Sequence, residues 1–338
     1  MRNTCGTMVL SLDLELAWGM FDILSVGELE AQSLEERPQI KRFIELLDRY
    51  EIPATWAMVG HLMLDSCTRD REGQAHVEVR PPARYSWFPH DWYCFDPCTE
   101  ASHAPSWYAP DILDWIRGAR VQHEIGSHSF AHIYYGDPEC TSIVAQADLQ
   151  AAVAAASKKN IALNSFVFPR NQVGHLSVLK NYGFQTYRGA TPDYIPGALG
   201  PLGAIGPLRR AAHLLDQLFA ISPKPVKPEE TLPGLWNIPG NHFFMARDGI
   251  RKYIPIASRV RKSKKGIDNA VKTGGLYHLW FHPFNLNTDS DAMFSGLEQI
   301  FSYAGRMRKE GRLRILTMGD YARHLEKEKI ESSSASSR

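Results

Sequence analysis

Residues 7–18 read TMVLSLDLELAW. The run is apolar and rich in strand-forming residues, and two acids interrupt it, Asp13 and Glu15. On a strand, residues i and i+2 point to the same face, so the two carboxylates share a side. Like charges on one side of an apolar run repel unless something positive stands beside or between them. A bound cation resolves that conflict. A solvated acidic face on an edge strand resolves it as well, and Asp-x-Glu alone does not choose.

The residues around this run set the architecture. Residues 33–52, SLEERPQIKRFIELLDRYEI, carry apolar side chains at helical spacing after a serine and predict a helix. Residues 53–60, PATWAMVG, predict a short buried strand. The rhythm continues with helices over 109–120, 140–160 and 175–184, and strands over 121–129, 165–171 and 185–189. It closes with a basic helix over 250–274, a strand at 276–283, a helix at 291–311, a strand at 313–318 and a helix at 319–329. Strands alternating with helices predict parallel pairing with helical crossovers. Repeated this often, they predict an α/β fold, an irregular (β/α) barrel of about seven parallel strands.

Two stretches break the rhythm. Near 66–106 lies a long loop or insertion that contains RPPARYSWFPHDWYCFDPC, and long loops in compact domains are often functional. Residues 192–240 are rich in Pro and Gly, with a helical patch at 208–220. No linker divides the chain, so residues 1–330 read as a single domain. The tail at 331–338, ESSSASSR, is polar and is expected to be disordered.

Composition excludes several classes. The 338 residues carry a formal net charge of +1, so no global field draws in nucleic acid or an acidic membrane. The first residues lack the uninterrupted apolar stretch of a signal peptide, and no run approaches the roughly 20 residues that span a bilayer. A cytoplasmic location is the expectation. Five cysteines with scattered spacing suit a reducing compartment, and the closest pair, Cys94 and Cys98, reads as ordinary thiols. Glycine-rich phosphate loops and a GxSxG elbow are absent. The basic run at 251–266 reads as a solvated helix face.

In a barrel, catalytic groups sit at the C-terminal ends of strands, and every chemically suggestive residue here falls at such an end. His128 and His132 lie in SHSFAH, residues 127–132. Four-residue spacing puts both imidazoles on one side if the segment turns helical. With a carboxylate from another strand they make a three-ligand site whose fourth position is open. A polar loop is the plainer alternative. Arg170, in Pro169-Arg170-Asn171, can hold a carboxylate in a bidentate pair, or be a surface arginine in a turn. His282, before Pro283, can serve as a general acid near neutral pH. His278, deeper on the same run, reads as a core histidine. Trp18, Trp236 and Trp280 lie near these segments and are candidates to stack on a sugar ring, with core packing the alternative for each.

Singly these signals are weak, but their order is specific. An acidic pair on the first strand is followed by HSFAH, then a Phe-Pro-Arg strand end, then His-Pro closing a late strand. The series resembles the polysaccharide deacetylase family, the carbohydrate esterases with a NodB-type homology domain, over roughly residues 8–320. HSFAH fits the family's His-Ser/Thr-x-x-His pattern without a gap. The resemblance implies Asp13 as general base, Glu15, His128 and His132 as metal ligands, Arg170 orienting Asp13, and His282 as general acid. It implies a divalent metal, Zn²⁺ first, with Co²⁺, Ni²⁺ or Fe²⁺ tolerated by such a donor set. It implies hydrolysis of an N-acyl group, acetyl or formyl, from an amino sugar or saccharide precursor, soluble or lipid-linked. Allantoinase-like relatives make a small cyclic amide or imide the alternative substrate, and a non-catalytic saccharide-binding barrel is the reading outside the enzymes. The sugar and the oligomeric state are not specified.

Overall fold

The computed structural model describes residues 5–190, 206–221, 223–224 and 226–336. Strand β1 (Gly6–Leu14) leads through a 3-10 turn to α1 (Val26–Tyr50) and β2 (Thr55–Met58). A long irregular segment then reaches α2 (Pro110–Arg117) and β3 (Glu124–Ser127). The next units are α3 (Ser142–Lys158), β4 (Ser165–Val167), α4 (Leu176–Asn181) and β5 (Thr186–Arg188). After α5 (Gly206–Phe219) come three short strands, β6 (Glu229–Leu232), β7 (Leu235–Asn237) and β8 (His242–Phe243). The chain ends with α6 (Ile256–Thr273), β9 (Leu276–Phe281), α7 (Ser290–Lys309), β10 (Leu313–Leu316) and α8 (Met318–Ser336).

The strands form one sheet in the order β6-β7-β5-β4-β3-β2-β1-β9-β8, with β10 also on β1. Every pairing is parallel except β6 with β7. β1 is the shared centre: β9 pairs along Thr7–Leu12, β2 along Ser11–Leu14 and β10 along Gly6–Val9.

The sheet is curled, and one ion pair shows it. β5 and β1 stand four places apart, about 19 Å in a flat sheet at the usual strand spacing of about 4.8 Å. Yet Arg188 on β5 bonds Asp13 on β1 directly, 2.6 Å at each oxygen. Opposite, Leu276 of β9 donates its N–H to Val226 just before β6, so irregular chain bridges the two sides. The result is an irregular (β/α) half-barrel. Its lower interior is filled by Val9, Ala57, Val167 and Ile238 against Met318 and Tyr321 of α8. The main core lies between the sheet's outer face and the helices, where Phe43 of α1 meets Trp56, Phe281 and Phe301 edge-on or tilted. With the lower end plugged, the polar interior collects at the C-terminal strand ends.

Several expectations change. The seven strands read from the sequence are β1–β5, β9 and β10; three more lie in or just after the Pro- and Gly-rich region, β6 and β7 within it and β8 two residues past its end, where two to four residues are too few for a periodic signal. Residues 191–205 of that region lie outside the described residues. α1 starts at Val26, not near Ser33, because Ser25 and Glu28 form a reciprocal capping box. The serine-rich tail, expected to be disordered, continues α8 as far as Ser336. The stretch between Met63 and Pro110 has no helix and only isolated bridges, but buries Trp92, Tyr93, Trp107 and Tyr108. Among the described residues, no helix is long and apolar enough to cross a membrane.

Candidate active site

Asp13 is the penultimate residue of β1, and Glu15 follows the strand at the start of a 3-10 turn, Leu16–Gly19. Both carboxylates are almost fully buried, 2% and 4% exposed, so each requires a compensating positive group. Asp13 has one in Arg188, whose Nη1 and Nη2 donate to its two oxygens. Nη1 also reaches Ser11 Oγ at 3.0 Å, and Nη2 reaches Asn171 Oδ1 at 3.3 Å. Burial alone would raise the Asp13 pKa, but the Arg188 guanidinium overrides it and holds the carboxyl below its usual value. Glu15 lies folded against its own turn, where a Cβ at Gly19 would overlap its carboxylate.

The two histidines of SHSFAH converge on Glu15. His128 Nε2 lies 2.9 Å and His132 Nε2 3.2 Å from the same oxygen, Oε1. They do not converge on a helix, as four-residue spacing suggested. The segment is a turn with Ser129 and His132 in the left-handed region, φ 71° and 57°. Asp148 of α3 pins that turn. It accepts hydrogen bonds from Ser129 Oγ, the Phe130 and Ala131 N–H groups and Tyr135 Oη.

His282 completes the group from the end of β9. Its Nε2 is 3.3 Å from Glu15 Oε1 and 3.6 Å from Asp13 Oδ2, and its side chain is 20% exposed, open to the mouth of the barrel. Burial disfavours its charge, yet the negative Glu15 and Asp13 raise its pKa above the ordinary histidine value. Burial would raise Glu15, but His282 and His132, with the hydrogen bonds of His128 and His132, keep it well below the carboxylate range.

The donor set fits a divalent cation. His128 Nδ1 lies 2.8 Å from the Val167 carbonyl, which only accepts, so the hydrogen-bond network assigns the proton of the neutral ring to Nδ1. Its Nε2 then presents a lone pair to Glu15. Burial pushes His132 below the usual histidine value, favouring the neutral ring, and its buried Nδ1 has no protein partner. One carboxylate oxygen therefore faces two imidazole nitrogens, and the ligand atoms of Glu15, His128 and His132 all lie within 4.8 Å of one another. Two imidazoles from the turn after β3 and a carboxylate from the end of β1 are a set that binds Zn²⁺ or a similar ion with a position left open.

No protein-family model and no curated protein matches the sequence. Solved structures do. A protein assigned as a polysaccharide deacetylase from Mycobacterium smegmatis superposes at TM-score 0.62 and 13% identity, over 97% of this chain and 93% of that one. Another so assigned, from Pseudomonas aeruginosa PAO1, gives 0.59 at 12%, over 95% and 91%. The chain has the polysaccharide deacetylase fold. The Puue allantoinase shares it, at TM-score 0.58 and 12% identity over 96% and 91%. At such identities the likeness is one of fold, and the chemistry rests on the residues.

Within this deacetylase fold the structure gathers Asp13, Glu15, His128, His132 and His282, and leaves out Arg170. That arginine lies past β4 in a 3-10 turn with φ 54°, and its guanidinium pairs with Asp22 at 3.1 Å and Tyr134 Oη at 3.2 Å. The residue that orients Asp13 is Arg188, which the sequence reading passed over. It is the last residue of a three-residue strand, and only the curl of the sheet brings it to β1. The signal was parity: with Thr186 and Arg188 on one face of β5, one arginine had to point into the barrel.

The tryptophans divide. Trp18 is 1% exposed, packed on Phe21, Tyr93 and Trp107, with its N–H on the Trp107 carbonyl, so it is a core residue and not a wall. Trp236 joins the lower interior and donates to Glu326 of α8, away from the mouth. Trp280 alone reaches the site: the Arg188 guanidinium lies 4.1 Å over its ring. His278 is fully buried between Ser11 Oγ and the Ile238 carbonyl, and burial lowers its pKa to about 3.

Proposed function

We propose that the protein is a metal-dependent hydrolase that removes an acetyl or formyl group from the nitrogen of an amino sugar or saccharide precursor. The observation that carries the reading is the pairing of an arginine-held carboxylate and a partly exposed histidine beside one His₂-carboxylate set, all at the open end of the barrel.

Glu15, His128 and His132 would hold the ion, which when bound polarises an amide carbonyl and acidifies water. Asp13 takes a proton from the attacking water, and Arg188 keeps it ionised for that task. His282 gives a proton to the departing nitrogen, so the leaving group departs as a neutral amine. Its Nε2 sits 3.6 Å from Asp13, close enough for acid and base to serve one substrate amide. The Arg188–Asp13–Ser11 network and the ring of Trp280 hold the base rigid.

A second reading, ring opening of a small cyclic amide or imide, is favoured by the likeness to the Puue allantoinase. The Zn²⁺-loaded protein should be assayed on N-acetylated and N-formylated amino sugars, alone and as oligomers, and on allantoin. Release of acetate or formate, seen by NMR, supports deacylation of a sugar. Turnover of allantoin alone transfers the assignment to the second reading. Binding of saccharide and metal without any turnover would make the barrel a non-catalytic binder.

A further inference from the structure

A second set of metal-type ligands lies outside this site, in the long segment between β2 and α2. His61 sits in the 3-10 turn after β2, and Cys67, His76 and Asp96 come from the irregular chain that follows. Asp96 Oδ2 is 2.9 Å from His61 Nε2, 2.7 Å from His76 Nε2 and 3.2 Å from Cys67 Sγ. The two Nε2 atoms are 3.0 Å apart. His61, His76 and Asp96 are buried and Cys67 is half-buried, and all four ligand atoms lie within 4.8 Å of one another.

The surroundings aim these four atoms inward. His61 Nδ1 is 3.2 Å from the Trp107 carbonyl, and His76 Nδ1 is 3.1 Å from Glu78 Oε1. Both partners are acceptors, so the neutral rings carry their protons on Nδ1 and turn lone pairs toward each other. A histidine whose far nitrogen donates to a carboxylate or carbonyl is the usual form of a metal ligand. The other oxygen of Asp96 is taken by the Cys98 N–H and Tyr108 Oη, which leaves Oδ2 pointing into the cluster. Two imidazoles, a thiolate and a carboxylate make a full tetrahedral set with no open position, the mark of a structural zinc site.

We propose that His61, Cys67, His76 and Asp96 bind a second divalent ion, of the zinc class, that clips the 64–109 segment to the end of β2. Binding would displace the Cys67 proton, since sulfur ligates as the thiolate. The clip braces the catalytic loops. The His61 ring is 4.5 Å from Trp18, in the turn that carries Glu15, and Phe130, within SHSFAH, lies 5.7 Å from His61 and 5.4 Å from His76.

The test is metal counting on the full chain, chelated, reloaded with Zn²⁺ and dialysed. The His128→Ala/His132→Ala protein should keep one equivalent, and adding Cys67→Ala or Asp96→Asn should remove it. Loaded with Co²⁺, the double variant should show thiolate-to-cobalt charge transfer, which the proposed active site cannot give because it has no sulfur. That spectrum needs no further substitution, so a Cys67 variant that fails to fold does not blunt the test. A double variant that binds no metal, or one equivalent without the thiolate band, overturns the proposal. A wild type holding one ion, kept by the double variant and lost with Cys67, would support this site and refute the metal at Glu15.

Discussion

One carboxylate oxygen gathers imidazoles in two places. Glu15 Oε1 faces His128, His132 and His282, and Asp96 Oδ2 faces His61, His76 and the Cys67 thiol. Their surroundings differ in the way that separates chemistry from construction. Beside Glu15 stand a second carboxylate held by Arg188 and a histidine open to the mouth, neither of which is needed to hold an ion. Around Asp96 every remaining polar atom faces protein: a carbonyl, a carboxylate, an N–H and a phenol. In the proposed reading the first arrangement would supply a substrate with a base and an acid, and the second would fasten a long loop.

The sharpest way to break this contrast is His128→Ala/His132→Ala. It should abolish turnover to background while sparing the metal in the second cluster, as activity and metal content in one sample would show. Next comes the pair of arginines. Arg188→Met leaves Asp13 buried without its cation. It should cost about 3–5 kcal/mol in denaturant unfolding and about 10²–10³-fold in kcat/KM. Because Arg188 holds the Asp13 pKa down, its loss should also move the acidic limb of the rate profile to higher pH. Arg170→Met loses a partly exposed pair with Asp22 and should change stability by less than about 1 kcal/mol. Equal effects at both positions would contradict the placement of Arg188.

Cys67→Ala should act on stability more than on chemistry. Zn²⁺ at about 100 times its Kd should protect the His128→Ala/His132→Ala protein by about 2.7 kcal/mol, and the same protein bearing Cys67→Ala by nothing. A pH-dependent effect on stability, separate from both clusters' metal, is expected at Glu36, a buried carboxyl of α1. Burial, then the charge of Glu15, raises it to about 8. Folded, it stays protonated up to that pH; unfolded, it ionises above its ordinary 4.5. Stability is therefore lost as pH rises from about 4.5 to 8, at up to about 1.4 kcal/mol per unit. Glu36→Gln removes that slope, so its melting temperature relative to wild type should climb between about pH 5 and pH 8.

How much of this was legible before folding depended on how local the signal was. Asp13 and Glu15 follow from the two-residue period of one strand, and the histidines from six consecutive residues. His282 was marked by the Pro that ends its strand. Arg188 was not readable this way, since its partner lies across a curled sheet and its own strand is three residues long. The ligands of the second cluster come one at a time from an aperiodic loop, with no paired Cys or His to announce them. Cys94 and Cys98, the pair nearest in sequence, are not among them. Trp18 misled in the opposite direction: nearness in sequence to Glu15 suggested a sugar platform, but the loop that covers it turns it into core.

The central claim is that Asp13 is a base beside an ion it does not hold. The most direct measurement is turnover and metal content of Asp13→Asn beside wild type, on the best N-acyl amino sugar from the substrate series. The account predicts wild-type metal at Glu15, His128 and His132, with turnover lower by about 10²–10⁴-fold. A variant that keeps most of its turnover, or that loses the metal along with it, would contradict that assignment.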